Sequence, residues 1–108
     1  MKAERFNTQP VEALLQKHTA HKKPYFVDFM GFQFLIRPEV FNPTYTKVSG
    51  FLARNLDVQE GQSVLEMFCG SGAVGLSVAD KVAQLVGVDI SPIAVQCSEE
   101  NAKQMGVS

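Results

Sequence analysis

Residues 63–89 contain two short apolar runs on either side of a glycine-rich turn, and this order constrains the fold more than any other feature. The first run, residues 64–68, leads into Cys69-Gly70-Ser71-Gly72, and the second, residues 85–88, ends on Asp89. Glycines permit a sharp turn and the close approach of a ligand, because no Cβ is in the way. A helix that starts at such a turn presents free N–H groups. The stretch therefore predicts a nucleotide-binding βαβ unit.

Two cofactor classes use such a unit, and Glu66 separates them. Gly70, Gly72 and Gly75 match G-x-G-x-x-G, and Asp89 lies nineteen residues after Gly70, as in a dinucleotide site. Glu66 stands four residues before Gly70, where its carboxylate would repel a pyrophosphate. S-adenosylmethionine carries an ammonium, a sulfonium and a ribose, but no phosphate. The sequence therefore favours S-adenosylmethionine, and an NAD(P)-dependent oxidoreductase is the weaker alternative.

The segment VLEMFCGSGAVGL, followed by VGVDISPIAVQCSEENAKQMGV, resembles the first two cofactor motifs of class I, Rossmann-like methyltransferases. The similarity is greatest to small-domain enzymes that modify RNA bases or protein glutamine. Glu66 is the acid of the first motif, and Phe68 stands where the family has the first of its alternating glycines. The acid-x-Phe-Cys-Gly form is similar to uridine carbon-5 methyltransferases. By contrast, Asp89-Ile90-Ser91-Pro92 and Glu100-Asn101-Ala102 are similar to glutamine and guanine N-methyltransferases, so both acceptor classes stay open.

This resemblance implies a role for each residue around the glycine turn. Glu66 would meet the methionine ammonium, Asp89 the ribose hydroxyls, and Ile90 the adenine ring. Close contact with the methionine and ribose portions would come from the turn itself, which comprises Phe68, Cys69, Gly70, Ser71 and Gly72.

The segment Asn42-Pro43-Thr44-Tyr45 resembles the Asn/Asp-Pro-Pro-aromatic catalytic motif of amino-group methyltransferases, with Thr44 in place of the second proline. Only twenty-three residues separate Asn42 from Glu66, which is too few for the strands of a circularly permuted site. We interpret the segment as the proline-rich turn that closes over the cofactor in small-domain methyltransferases. On this interpretation Tyr45 and Thr46 contact the cofactor, and no catalytic residue is assigned.

The N-terminal part predicts a helix and a hairpin. Apolar residues recur at helical spacing from Pro10 to about residue 19, and residues 25–37 alternate around Gly31. A basic cluster lies between them: His18, His21, Lys22 and Lys23. We interpret this cluster as a solvated helix end, with an RNA contact as the alternative, and its two histidines lack the partners of a metal site.

These patterns predict an α/β fold: the opening βαβ part of a Rossmann-like doubly wound sheet, preceded by a helix and a β-hairpin. Residues 1–43 would form the N-terminal extension, and residues 44–108 the first part of a methyltransferase domain that binds S-adenosylmethionine. Only two parallel strands are predicted, so we expect an incomplete domain that is inactive alone. Its open sheet edge would favour self-association. A non-catalytic fragment that binds the cofactor or a partner chain is the alternative.

The composition of the chain bears on its methyl acceptor and on its location in the cell. A net charge of −1 gives no global basic field, so the methyl acceptor, RNA or protein, stays open. Two cysteines make no disulfide framework and indicate a reducing compartment. The N-terminus does not resemble a signal peptide, and no apolar run approaches membrane-spanning length. We therefore expect a cytoplasmic location, without membrane contact.

Overall fold

The computed structural model describes residues 9–107, which form four α-helices, two strand pairs and one short 3-10 helix. In chain order these are α1 (Gln9–Thr19), β1 (Tyr25–Phe29), β2 (Phe32–Ile36), the 3-10 helix Pro43–Tyr45, α2 (Val48–Asn55), β3 (Ser63–Met67), α3 (Ala73–Leu76), β4 (Gln84–Val88) and α4 (Pro92–Gln104). In this part of the chain, no helix combines the length and the apolar character needed to span a membrane.

β1 and β2 form an antiparallel hairpin in which every residue of one strand pairs with a residue of the other. Met30 and Gly31 connect the strands with φ angles of 53° and 83°. Positive φ at both positions is what a type I′ turn requires, and this turn matches the twist of the strands. One face of the hairpin is buried, and its most buried residues are Phe29, Phe34 and Ile36.

β3 and β4 form a parallel two-stranded sheet in which Glu66 lies opposite Gly87. On one face Leu85 packs against the buried core. The other face exposes a row of apolar residues: Leu65, Met67, Val86 and Val88. A complete doubly wound sheet is covered by helices on both faces. Within residues 9–107, by contrast, only the face that carries Leu85 is covered. Self-association through this sheet stays a prediction.

The hairpin and the helices around the glycine turn share one core. Its buried members are Phe29, Phe34, Ile36, Val40, Ala53, Ala73, Leu76, Ala94 and Cys97. α1 contributes no buried residue. The hairpin is therefore packed directly on the elements that carry the predicted cofactor site.

Two helices are shorter than their patterns predict. The apolar spacing of residues 46–56 predicts a helix that Thr44 or Thr46 could cap. In the structure α2 begins at Val48, and Lys47 at the cap position makes no side-chain cap bond. α3 ends at Leu76, although apolar spacing extends the pattern to Ala79. The Ser77 N–H still bonds four residues back, to Ala73, but the Val78 and Ala79 N–H groups bond three residues back, so the chain tightens into turns.

Candidate cofactor site

The glycine turn lies at the carboxyl end of β3, beside the carboxyl end of β4, because the two strands are parallel. The Cys69 N–H donates to the Val88 carbonyl at 3.0 Å, which attaches the turn to the end of β4. The Gly72 N–H donates to the Cys69 carbonyl at 2.8 Å and closes the turn before α3 begins. The fold thus brings the glycine turn and Asp89 to one edge of the sheet.

Asp89 holds together the two segments that meet at this edge. Its Oδ2 accepts from the Gly70 N–H at 2.9 Å, and its Oδ1 accepts from the Ser91 N–H at 2.9 Å. Each carboxylate oxygen can accept more than one hydrogen bond, so capacity remains for the two hydroxyls of a ribose. Asp89 therefore orders the turn from within the protein, a role that its spacing in the sequence did not indicate.

Three residues of the turn adopt positive φ: Phe68 at 55°, Gly70 at 55° and Gly72 at 80°. A Cβ at Gly72 would lie 3.0 Å from the Cβ of Ser98 on α4, whereas a Cβ at Gly70 would meet nothing within 4 Å. Gly72 therefore serves both the backbone turn and its packing against α4. Gly70 leaves space into which a ligand can approach the backbone.

Phe68 departs from the glycine of the family pattern, yet it adopts the conformation that glycine favours. Left-handed φ costs a residue with a Cβ about 1–2 kcal/mol, and 81% of Phe68 is exposed, so burial returns little. We expect Phe68→Gly to change the free energy of unfolding by less than about 1 kcal/mol, because relief of strain is offset by the entropy of glycine. Affinity for S-adenosylhomocysteine should stay within about threefold. Urea denaturation and calorimetric titration measure both, and a larger loss of affinity would show that the ring itself contacts the ligand.

Glu66 lies on β3 against the first turn of α3. Its Oε1 accepts from the Gly75 N–H at 3.2 Å. Burial raises the pKa of Glu66 from 4.5 to about 7, and the Gly75 hydrogen bond offsets only part of that rise. A cation in contact with the carboxyl would favour its ionised form and lower the pKa again. The site is therefore suited to an ammonium and unfavourable to a phosphate.

Gly75 provides the space that Glu66 occupies. A Cβ at Gly75 would lie 2.7 Å from Glu66 Oε1 and 3.0 Å from Leu85 Cδ1. Gly75→Ala should displace the carboxylate, cost about 1–3 kcal/mol of stability, and weaken binding of S-adenosylhomocysteine about tenfold. The matched control is Gly50→Ala in α2, where the new Cβ meets only the flexible Arg54 side chain, at 3.0 Å. Calorimetric titration of both variants decides the matter, and equal losses of affinity would contradict a specific role for Gly75.

A cleft of about 680 Å³ opens in front of the glycine turn. Its walls come from the ends of the sheet and from the segment that leads into α2, and they include Phe41, Thr46, Leu52, Glu66, Gly70 and Asp89. Thr46, one of the predicted contacts, is thus on the cleft wall. Ile90 is 95% exposed immediately after Asp89, which leaves it free to pack on a planar ligand.

Tyr45, the other predicted contact from this segment, bonds to the N-terminal helix region instead. Its hydroxyl lies 2.7 Å from His21 Nε2, and its ring meets His18 edge-on at a centroid distance of 4.9 Å. His18 accepts the Asn42 N–H at Nε2, at 2.9 Å, and donates from Nδ1 to the Leu14 carbonyl at 2.8 Å. The interpretation of these histidines as a solvated helix end was therefore wrong. Within residues 9–107 no group of three His, Cys, Asp or Glu side chains is placed to hold a metal ion.

The remaining residues of the turn, Cys69 and Ser71, are both buried. Cys69 is buried, and burial raises the pKa of its thiol, which disfavours a role as nucleophile. Ser71 is 2% exposed, and its carbonyl accepts from Asn101 Nδ2 at 2.9 Å. The sequence placed Asn101 on the inner side of α4 without giving it a role. An asparagine on a buried helix face was the available signal, because buried amides require partners.

Comparison with known proteins identifies the class to which this site belongs. Residues 31–108 match the family model of the methyltransferase small domain. The chain is 36% identical over 83 residues to an uncharacterized RNA methyltransferase of Streptococcus agalactiae, which covers 73% of this chain and 18% of the relative. It is 34% identical over 86 residues to a 23S rRNA (uracil(747)-C(5))-methyltransferase of Xenorhabdus bovienii. That alignment covers 73% of this chain and 22% of the relative. It is 30% identical over 105 residues to the human tRNA (uracil-5-)-methyltransferase homolog A. That alignment covers 94% of this chain and 17% of the relative. The chain thus spans about a fifth of the length of the curated relatives it matches.

Solved structures give the same fold. Precorrin 8W decarboxylase of Methanobacterium thermoautotrophicum superposes with a TM-score of 0.60 at 25% identity, over 69% of this chain and 40% of that one. The YcgJ protein of Bacillus subtilis superposes with a TM-score of 0.50 at 23% identity, over 56% of this chain and 26% of that one. This second likeness concerns the fold alone. The prediction of a Rossmann-like α/β fold is confirmed.

Proposed function

The chain belongs to the methyltransferase small domain family, and we propose that it forms the S-adenosylmethionine-binding part of a methyltransferase. The observation that carries the proposal is the position of two carboxyls around one glycine turn. Glu66 reaches α3 from within the sheet, and Asp89 bonds to the turn at the Gly70 N–H. One carboxyl is suited to an ammonium and the other to ribose hydroxyls, and the cleft between them is lined by both.

The donor set fits S-adenosylmethionine part by part. Glu66 would hold the methionine ammonium, the Gly70 backbone faces open space where a ligand can lie against it, and Asp89 would hold the ribose. Thr46 lies on the wall of the cleft, and Ile90, which follows Asp89, would pack on the adenine ring. When bound, S-adenosylmethionine supplies a methyl group on a positively charged sulfur, from which it transfers by direct displacement. The protein's contribution to such a step is binding and alignment, since a fixed geometry removes much of the entropic barrier.

The alternative cofactor, a dinucleotide, fits less well. Its pyrophosphate would lie near Glu66, whose carboxyl accepts from the Gly75 N–H and forms no ion pair with any residue in 9–107. α3 is also only four residues long, so it offers little helix dipole to an anion. The non-catalytic alternative finds no support in the relatives, whose names are those of methyltransferases.

We propose RNA as the methyl acceptor, with carbon 5 of uracil as the acceptor atom. Two of the relatives are named as uracil carbon-5 methyltransferases of ribosomal and transfer RNA. The Glu66-x-Phe68-Cys69-Gly70 form of the first motif resembles the same class. The similarity of the second motif to N-methyltransferases is the competing indication.

A double-label assay of the full-length protein tests this proposal. RNA transcribed with [5-³H]uridine is incubated with [methyl-¹⁴C]S-adenosylmethionine. Methylation at carbon 5 replaces the hydrogen there, so ¹⁴C should enter the RNA while an equal amount of ³H is released to water. Transfer of ¹⁴C without release of ³H would indicate a nitrogen acceptor. Absence of ¹⁴C from RNA, with transfer to protein, would overturn the RNA assignment.

A further inference from the structure

Asn101, in the last turn of α4, is 1% exposed and uses its whole amide in hydrogen bonds to two distant segments. Its Oδ1 accepts from the Leu35 N–H at 2.7 Å, and its Nδ2 donates to the Leu35 carbonyl at 2.9 Å. The same Nδ2 donates to the Ser71 carbonyl at 2.9 Å. Both N–H protons of the amide and its oxygen are therefore engaged with backbone groups, and Nδ2 has a longer contact of 3.9 Å with Cys97 Sγ.

The contact with Leu35 seats the hairpin on α4. A single primary amide satisfies the N–H and the C=O of one β2 residue, as the peptide of a neighbouring strand would do. Cys97, one turn earlier on α4, adds a weaker bond from its thiol to the same Leu35 carbonyl at 3.1 Å. Arg37, the residue after β2, forms an ion pair with Glu100 of α4 at 2.8 Å. Asn101 is thus one of three polar links between residues 35–37 and α4.

Asn101 differs from the other two links because it also bonds to Ser71 in the glycine turn. The Ser71 carbonyl belongs to the peptide whose N–H is that of Gly72, so fixing the carbonyl fixes the plane of that peptide. The Gly72 N–H in turn closes the glycine turn onto Cys69 at 2.8 Å. The turn is therefore held from two sides, by Asp89 at Gly70 and by Asn101 at Ser71.

We propose that Asn101 is a positioning residue that sets the glycine turn for the cofactor and couples the turn to the hairpin. The proposal rests on the proposed function, because it takes S-adenosylmethionine or S-adenosylhomocysteine as the ligand of the turn. Coupling between two segments acts in both directions. A ligand that orders the glycine turn must therefore also stabilise the bond between Asn101 and Leu35.

The test compares Asn101→Ala and Asn101→Asp with Cys97→Ala in the complete chain. Asn101→Asp keeps the shape and one acceptor but loses both donors. Cys97→Ala removes a bond to the same Leu35 carbonyl from the same helix, together with a longer contact of 3.9 Å to Asn101 Nδ2, but it removes no bond to the turn. At a temperature where each chain is folded, the Asn101 variants should bind S-adenosylhomocysteine about tenfold or more weakly. Cys97→Ala should stay within about twofold of the wild type. Equal losses in the two sets, or unchanged affinity in a folded Asn101 variant, would overturn the proposal.

Amide hydrogen exchange followed by NMR provides the readout that a merely structural role would not produce. Asn101 variants should speed exchange at both Leu35 and Gly72, and Cys97→Ala at Leu35 alone. In the wild type, S-adenosylhomocysteine should slow exchange at Leu35, although this residue is outside the cleft wall. This arm needs no variant, so it decides the coupling even if the Asn101 variants fail to fold. If the wild type does not bind the ligand, the proposed function fails. The positioning role is then tested separately in the unliganded variants, where faster amide exchange at Gly72 supports it and unchanged exchange overturns it.

Discussion

Replacement of Asp89 by alanine should weaken binding of S-adenosylhomocysteine by at least about 100-fold. The carboxylate accepts two backbone N–H groups at 2.9 Å, from Gly70 and Ser91. Hydrogen bonds to a charged group contribute about 1.5–3 kcal/mol each, and every 1.4 kcal/mol is about a tenfold change in affinity. The substitution removes the bond that holds Gly70, leaves the Cys69 N–H on the Val88 carbonyl, and removes the acceptor proposed for the ribose. Calorimetric titration of wild type and variant measures the loss.

Asp57→Ala is the control for the change in charge. Asp57 is exposed in the turn before β3, outside the walls of the cleft. Both substitutions remove one negative charge, so a general electrostatic effect would appear in both. Affinity within about threefold of the wild type in a folded Asp89→Ala chain would contradict the role assigned to this carboxylate.

Affinity for S-adenosylhomocysteine should rise about tenfold between pH 6 and pH 8, because Glu66 must be ionised to hold an ammonium. Burial raises the pKa of Glu66 to about 7 in the unliganded chain, so the carboxyl is largely protonated at pH 6. Binding at that pH must expel the proton, and titration in buffers of different ionisation enthalpy should detect its release. Glu66→Gln should bind weakly at both values without this dependence. An equal rise in Glu66→Gln would assign the effect to another group.

The same carboxyl makes the unliganded chain less stable as pH rises. Its folded pKa, about 7, lies above its ordinary value of 4.5, so folding favours the protonated form. This contribution is fully present below pH 4.5 and is lost as pH rises through about 7. Allowing for partial exposure to solvent, its size is about 2 kcal/mol. Urea denaturation at pH 5 and pH 8 should show the loss in wild type and a smaller one in Glu66→Gln.

Features of the cofactor site that depend on neighbouring residues in the chain could be predicted from the sequence. The apolar runs flanking the glycine turn form β3 and β4, and Asp89 follows β4 directly. Ser91 caps α4, where its Oγ accepts from the Ala94 N–H at 3.3 Å. Such features follow from backbone sterics and short-range hydrogen bonds, which a local pattern records. The roles of individual residues toward the cofactor stay predictions.

Features that depend on packing between distant segments could not be predicted. The charges of Glu99, Glu100 and Lys103 predict a solvated helix face, but Glu100 pairs with Arg37, sixty-three positions away. Tyr45 was expected at the cofactor and bonds to His21 instead. Nothing in the local pattern of either segment specifies such partners, because each pair joins residues that are distant in the chain and meet only in the folded structure. The double role of Asn101 between Leu35 and Ser71 belongs to the same class.

A calorimetric titration of this chain with S-adenosylhomocysteine, with NAD as the comparison ligand, tests the central claim most directly. The two ligands share a ribose and an adenine and differ at the group next to Glu66, which is an ammonium in one and a pyrophosphate in the other. We predict saturable binding of S-adenosylhomocysteine at one site, with no measurable heat from NAD. Tight binding of NAD, or no binding of S-adenosylhomocysteine to a chain shown by circular dichroism to be folded, would contradict the assignment of this cleft.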